Sequence, residues 1–154
     1  MKQSSLFDPP RERPTGPAIR VNIDGGARGN PGPAAYGVVV RDASGRIIDE
    51  IAEYLGIQTN NFAEYSGLLA ALEYALREKC ASLKVLSDSE LLVKQMKGQY
   101  RVKNPGLMEL YERARAMVRK LQYFSIDHVL RESNREADRL VNKVLDSQSG
   151  GMRR

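Results

Sequence analysis

Residues 19–40 read IRVNIDGGARGNPGPAAYGVVV, and this stretch decides the fold. It starts with apolar residues alternating with polar ones, the pattern of a strand with one buried face. Asp24 follows, then a turn rich in glycine, asparagine and proline, then a second strand-like run. Glycines let the main chain approach a ligand closely because no Cβ intervenes. An aspartate beside such a turn suits a phosphate, sugar or metal site, although ordinary hairpin turns share this composition.

Composition places the chain in a broad class. Its 154 residues, 42% of them hydrophobic, fit one globular domain. A formal charge of +5 and a pI near 9.4 suggest a polyanionic partner such as nucleic acid. The single cysteine, Cys80, excludes an internal disulfide and agrees with a reducing compartment. No apolar run or secretory signal stands out, so we expect a soluble cytoplasmic monomer with no membrane association and no small-molecule cofactor.

The domain is expected at residues 18–148, between disordered tails at 1–17 and 149–154, because the first tail holds four of the seven prolines and has no apolar periodicity. Periodicity and turn residues predict the elements within it. Strands are expected at 19–24, 36–41, 46–55, 83–86 and 123–129, and helices at 62–79, 90–97, 107–121 and 134–146. This order predicts an α/β fold, a five-stranded mixed sheet flanked by helices, with a three-stranded antiparallel meander and two parallel strands.

Four acidic residues fall where such a sheet would bring them together. Asp24 and Asp88 are expected to end parallel neighbouring strands, and Glu64 and Asp138 lie near the starts of helices. Each alone suits helix capping or the helix dipole. Together they would repel one another strongly unless divalent cations neutralised them, and Mg²⁺ prefers oxygen ligands of this kind.

Four motifs carry a family resemblance over residues 18–147. They are the glycine-rich run from Asp24 to Gly37, Thr59-Asn60-Asn61-Phe62-Ala63-Glu64, Ser87-Asp88-Ser89, and Asn134-Arg135-Glu136-Ala137-Asp138. In this order and spacing they closely resemble the type 1 ribonuclease H family. The resemblance implies the ribonuclease H-like fold and hydrolysis of the RNA strand of RNA–DNA hybrids with two Mg²⁺ ions, Mn²⁺ serving as a substitute, to leave 5′-phosphate and 3′-hydroxyl ends.

The resemblance also implies roles for individual residues. Asp24 would bridge both metals, Asp138 would complete the ion that activates water, and Glu64 and Asp88 would hold the ion near the leaving 3′-oxygen. The residues expected to contact substrate are Gly25, Gly26, Asn30, Thr59, Asn60, Asn61, Glu90 and Asn134. Main-chain groups of the glycine-rich turn would reach 2′-hydroxyls, the groups that distinguish RNA from DNA.

The chain departs from the family pattern in three places. A basic helical protrusion is missing or very short, so hybrid affinity would depend on a smaller basic surface or on the arginines of the tails; the candidates for that surface are Lys94, Lys97, Arg101 and Lys103. The loop before the last helix holds no histidine; His128 is expected in a structural role, and Arg131 and Glu132 are closer candidates for the function of this loop. Glu90 stands where many members carry glutamine.

Two alternatives to a hybrid-specific endoribonuclease remain open from the sequence. A non-catalytic module that binds hybrids or double-stranded RNA would use the same fold but would tolerate loss of acidic residues. A related nuclease would keep the metal chemistry and act on another structured polynucleotide. The complete acidic set favours an enzyme over the binding module.

Overall fold

The structure, a computed structural model, describes residues 16–152, with side chains to residue 148. The predicted N-terminal tail thus lies outside the described residues except for its last two. The elements are β1 (Ala18–Ala27), β2 (Gly32–Arg41), β3 (Ile47–Gln58), α1 (Asn60–Arg77), β4 (Ser82–Ser87), α2 (Glu90–Met96), α3 (Pro105–Val118), β5 (Tyr123–His128) and α4 (Arg135–Met152), with a short 3-10 helix at Arg131–Ser133 before α4. None of the described helices is long and apolar enough to cross a membrane.

The strands form one sheet in the order β3-β2-β1-β4-β5. β1, β2 and β3 make an antiparallel meander, and β4 pairs in parallel with β1 on one side and β5 on the other. The predicted five-stranded mixed sheet is confirmed. The crossovers from β3 to β4 and from β4 to β5 contain α1, and α2 with α3, as parallel connections require.

One face of the sheet is covered by α1. Thr59 caps this helix, its Oγ1 accepting a hydrogen bond from the amide of Phe62 at 3.1 Å. The helix contributes Leu68, Leu72 and other apolar residues to a core with the inward residues of β1, β2 and β4, and α3 packs against the outside of α1. This layer forms most of the hydrophobic core.

The opposite face is covered by α4, which packs on β1, β2 and β3 through a smaller cluster of Ala35, Val141 and Leu145. Side chains alternate between the two faces of a strand. Asp24, which pairs with Gly37 across β1 and β2, therefore points toward the α4 face, and Gly25 points toward α1. α1, which carries Glu64, and α4, which carries Asp138, thus approach neighbouring residues of β1 from opposite faces of the sheet.

Several element boundaries differ from prediction: β2 begins at Gly32 and not at residue 36, β3 ends at Gln58 and not at residue 55, and α3 ends at Val118 and not at residue 121. Asp24 does not end β1, because the strand continues to Ala27 through its pairing with β2. α4 continues to Met152, beyond its predicted end near residue 146 and into the predicted C-terminal tail. Extending an established helix fixes only one residue for each new hydrogen bond, so the glycines at 150 and 151 weaken α4 without ending it.

Candidate active site

The end of the parallel pairing between β1 and β4 brings two carboxylates together. The pairing stops at Ile23 and Ser87, so Asp24 and Asp88 are the next residues on the two strands. Beyond this point β1 pairs only with β2. Asp24 is 7% exposed and lies in the floor of an open cleft of about 370 Å³, and Asp88 is half-buried beside it.

Glu64 reaches the same cleft because α1 packs directly on the backbone of β1. A Cβ placed on Gly25 would lie 2.4 Å from the carbonyl carbon of Ala63 and 2.5 Å from the amide nitrogen of Glu64. Only glycine allows this approach. Asn60 holds the start of the helix to the turn between β1 and β2, since its Oδ1 accepts a hydrogen bond from the amide of Ala27 at 2.8 Å and its own amide donates to Asn30 Oδ1 at 2.9 Å.

Three carboxylates lie close together with little compensating charge. Asp24, Glu64 and Asp88 each offer one oxygen, and these oxygens lie within 4.8 Å of one another. Burial, followed by the neighbouring carboxylates of Asp88 and Asp138, raises the pKa of Asp24 to about 8. Burial also raises the pKa of Glu64 well above its ordinary value, with Asp24 and Asp88 adding to the effect. The nearest cation, Arg131, lies 3.9 Å from Asp88 and is largely exposed.

The fourth carboxylate comes from the other face of the sheet. Asp138 lies in the first turn of α4, and its side chain is within hydrogen-bonding reach of Asp24. α4 can approach β2 this closely because Gly37 has no side chain. A Cβ on Gly37 would lie 2.7 Å from the carbonyl oxygen of Ala137 and 2.8 Å from Leu140 Cβ. The structure thus brings all four predicted carboxylates to one cleft.

The arrangement suits a hard divalent cation. Glu64 Oε1 is buried and has no hydrogen-bond partner among the described residues. Leaving a buried carboxylate oxygen without a partner is costly, so an ion that accepts oxygen ligands would resolve both this defect and the mutual repulsion. Mg²⁺ and Mn²⁺ fit an all-oxygen donor set of this kind.

Comparisons with known proteins agree with this geometry. A family model described as reverse transcriptase-like matches residues 22–144. The bifunctional protein Rv2228c of Mycobacterium tuberculosis is 42% identical over 130 residues, which are 84% of this chain and 36% of that protein. A solved structure of LC11-RNase H1 in complex with an RNA/DNA hybrid has a TM-score of 0.80 and 41% identity, covering 84% of this chain and 98% of that one. The chain belongs to the type 1 ribonuclease H family.

A further family member, the ribonuclease HI of Halobacterium salinarum, is 40% identical over 131 residues, covering 85% of this chain and 66% of that protein. This chain spans only about a third of the length of the Mycobacterium relatives that it matches. The likeness covers the sheet, α1 and the start of α4, so it includes every element that carries a site carboxylate.

The predicted substrate-contacting residues of the chain occupy three different settings. Gly25, Gly26 and Asn60 line the cleft. Glu90 is exposed on the first turn of α2 and is paired with Lys94 at 3.1 Å. Thr59 and Asn30 are exposed beside the cleft and hold α1 and the turn in place; Asn61, next to them, is half-buried.

Asn134 is the exception, because it is 1% exposed and does not face the cleft. Its Nδ2 donates to the carbonyl oxygen of Ile23 at 2.8 Å, and its Oδ1 accepts from Asn22 Nδ2 at 3.0 Å. Arg41 extends this network by donating to Asn22 Oδ1 and to Glu136. The structure therefore gives Asn134 a role in seating α4 on β1, and a substrate contact of its side chain does not agree with this burial.

The residues of the loop before α4 and the predicted basic residues differ in their surroundings. Arg131 lines the cleft, whereas His128 is exposed at the end of β5 and does not line it. Lys94 and Lys97 are paired with Glu90 and Asp127. The predicted basic surface is thus partly neutralised by its own neighbours.

Sequence reasoning assigned no role to Arg28 or Asn142, both of which line the cleft. Asn142 lies one helical turn after Asp138, and its Nδ2 donates to Asp138 Oδ2 at 3.3 Å. The four-residue spacing was visible in the sequence as a signal that the two side chains share a helix face. No sequence pattern indicated that Arg28 reaches that face.

Proposed function

We propose that this chain is a metal-dependent endoribonuclease that hydrolyses the RNA strand of RNA–DNA hybrids and leaves 5′-phosphate and 3′-hydroxyl ends. The convergence of four carboxylates on one cleft, with a buried Glu64 oxygen that has no partner in the part of the chain that the structure describes, carries this proposal. The family membership and the hybrid-bound state of the related LC11-RNase H1 support the choice of substrate.

Asp24, Glu64, Asp88 and Asp138 would hold two Mg²⁺ ions, with Mn²⁺ as a substitute. When bound, such ions activate an attacking water and stabilise the leaving oxygen of an in-line phosphoryl transfer. Asp24 lies among the other three carboxylates and would bind both ions. Asp138 approaches from α4 and would serve the ion on the water side.

The other cleft residues would position the substrate. Gly26 presents its backbone to the cleft with open space above it, since a Cβ there would meet only Val141 Cγ1 at 3.9 Å. This open backbone suits hydrogen bonds to the 2′-hydroxyls of an RNA strand. Arg131 is 86% exposed at its side chain and lines the same cleft, so we assign to it, and not to His128, the function of the loop before α4.

The test is cleavage of a labelled RNA–DNA hybrid by the purified chain with Mg²⁺ or Mn²⁺, beside the Asp24→Asn variant. We expect cleavage by the wild-type chain, products with 3′-hydroxyl ends, and no cleavage by the variant or in the presence of a chelator. Intact hybrid in every reaction would overturn the proposal.

Two further measurements distinguish the alternative functions. Hybrid binding that persists with chelator and never leads to cleavage would favour the binding module. Faster cleavage of duplex RNA or duplex DNA than of the hybrid would favour a nuclease with another substrate. Neither result is expected, because the acidic set is complete and the glycine-rich turn beside it lines the open cleft, where it would contact the minor groove of a hybrid.

A further inference from the structure

The carboxylate of Asp138 is held differently from the other three. It is absent from the group of oxygens that lie within 4.8 Å of one another, and it lies within hydrogen-bonding reach of Asp24. The backbone of α4 packs closely on β2, where a Cβ on Gly37 would lie 2.7 Å from the carbonyl oxygen of Ala137, but the Asp138 side chain itself extends from the helix and not from a strand. Its orientation must therefore come from its neighbours on α4 and across the cleft.

Those neighbours form a continuous chain of polar contacts. Asn142 Nδ2 donates to Asp138 Oδ2 at 3.3 Å and to the Asp138 carbonyl oxygen at 3.2 Å. Arg28 Nη2 donates to Asn142 Oδ1 at 3.2 Å and lies 2.7 Å from Asp146 Oδ1. Asp138, Asn142 and Asp146 are spaced by four residues, so they lie on one face of α4 and point at the same turn.

The chemistry of these groups determines the direction of each contact. A guanidinium has only donors, so Arg28 forces the oxygen of the Asn142 amide toward itself and leaves the amide nitrogen facing Asp138. The amide nitrogen of Asn142 donates its hydrogen bond to Oδ2 of Asp138, so Oδ1 of Asp138 is left for another ligand. Asp146 in turn holds the guanidinium, and the amide of Arg28 is fixed by a hydrogen bond to the carbonyl oxygen of Pro33 at 2.9 Å.

We propose that Arg28, Asn142 and Asp146 form a latch that orients Asp138 for metal binding and joins the glycine-rich turn to α4. The three are positioning residues, since they act through Asp138. The proposal rests on the proposed function, in which Asp138 is a metal ligand. Hydrogen bonds to a metal-binding carboxylate set its orientation, and losing them typically weakens metal affinity about 10- to 100-fold.

Metal binding without substrate is the decisive measurement. We expect Mn²⁺ titration followed by calorimetry to show weaker binding for Asn142→Leu, by about 10-fold or more, and for Arg28→Gln, by a smaller factor in the same direction. Simple Coulomb interaction predicts the opposite for Arg28→Gln, because removing a positive charge near the cleft should favour a cation. Equal or tighter Mn²⁺ binding by Arg28→Gln would overturn the latch.

Asp146→Asn gives a second test with opposed signs. Removing this acidic group should lower KM for a polyanionic hybrid if only long-range charge matters, whereas loss of the latch should lower kcat without lowering KM for the hybrid. The double variant Arg28→Gln/Asp146→Asn should lose little more than the worse single variant, because both act on one contact chain. Additive losses would contradict the proposal.

Matched controls come from exposed ion pairs elsewhere. Arg46→Gln removes an arginine paired with Asp42 at 3.7 Å, and Glu78→Gln removes a carboxylate paired with Arg77 at 3.6 Å. Both should bind Mn²⁺ and cleave hybrid like the wild-type chain. Because the latch ion pair is itself exposed, its variants should fold normally, and thermal unfolding would check this.

Asp138→Asn distinguishes failure of the latch from failure of the proposed function. If Asp138→Asn loses cleavage while Arg28→Gln and Asp146→Asn behave like the controls, only the latch is wrong. If Asp138→Asn cleaves at the wild-type rate, the assignment of Asp138 as a metal ligand is wrong, and the latch is overturned with it.

Discussion

The sheet edge and α4 contribute to one cleft by different physical means. Asp24 and Asp88 follow a parallel backbone ladder, and Glu64 is held by direct contact between the backbones of β1 and α1. Asp138 instead depends on how α4 is seated, through the close approach of Ala137 to Gly37, the buried Asn134 and the exposed Arg28. The hydrogen bonds that direct the Asp138 side chain are exposed, so they can be lost without unfolding the sheet. The site thus has a rigid part and a part that depends on helix docking.

The largest expected effect is a difference in hybrid cleavage between a variant of the rigid part and a variant of the part that depends on helix docking. Asp88→Asn should abolish hybrid cleavage, a loss of at least roughly a thousandfold, because it removes a member of the rigid cluster. Asp138→Asn should reduce cleavage less and should retain measurable Mn²⁺ binding, since the other three oxygens remain in place. Rates of hybrid cleavage under saturating metal provide the measurement. A greater loss from Asp138→Asn would reverse the assignment of rigid and dependent parts.

Alanine at two glycines tests how each helix approaches the sheet. Gly25→Ala would put a Cβ 2.4 Å from backbone atoms of α1, and Gly37→Ala would put one 2.7 Å from the backbone of α4. We expect destabilisation of about 1–3 kcal/mol or more in each case, larger for Gly25→Ala because the layer carrying α1 forms most of the core.

Urea unfolding measures both variants of this pair, and Gly26→Ala is the stability control because only Val141 Cγ1, at 3.9 Å, lies near its Cβ position. Gly37→Ala should also weaken Mn²⁺ binding through Asp138, as far as the variant remains folded. A stable Gly25→Ala protein with wild-type cleavage would show that α1 can retreat from β1 without moving Glu64.

For the polar residues that anchor the two helices, we expect the larger cost on the α4 side. Asn134→Ala would leave the buried Ile23 carbonyl and the Asn22 amide without their partner, which we expect to cost about 1–3 kcal/mol of unfolding free energy. Asn60→Ala removes one exposed hydrogen bond, which the Ala27 amide can make to water instead, so its cost should be about 0.5–1.5 kcal/mol. Equal costs in urea unfolding would contradict the contrast in burial.

The last prediction concerns pH and belongs to the rigid part. The pKa of Asp24 is raised from 3.8 to about 8 on folding, so between these values the folded state binds more protons than the unfolded state. The stability of the metal-free protein should therefore fall as pH rises from about 4 to about 8. Asp24→Asn should remove this contribution, and added Mn²⁺ should stabilise the wild-type protein more at pH 8 than at pH 6. Thermal unfolding across pH, with and without metal, tests both.

The fold was largely predictable because its signals are local. Alternation of apolar residues in β1 and the turn at 42–45 predicted the meander, and the spacing of leucines and alanines predicted α1. Among the boundaries that differed, the end of β1 depends on pairing with β2 and the end of α4 depends on helix elongation. Neither effect is visible in a short window of residues.

The sequence by itself determined the family, the mixed sheet and the four carboxylates, because the motifs that carry them are local and because Asp24 and Asp88 directly follow the pairing of two parallel strands. Only the tertiary structure decided what surrounds them. It showed that Gly25 is needed for helix packing, that Asn134 is buried, and that Arg28 reaches Asp138 through Asn142. These facts depend on contacts between residues more than a hundred positions apart, or on the close approach of two backbones, and no spacing along the chain encodes them.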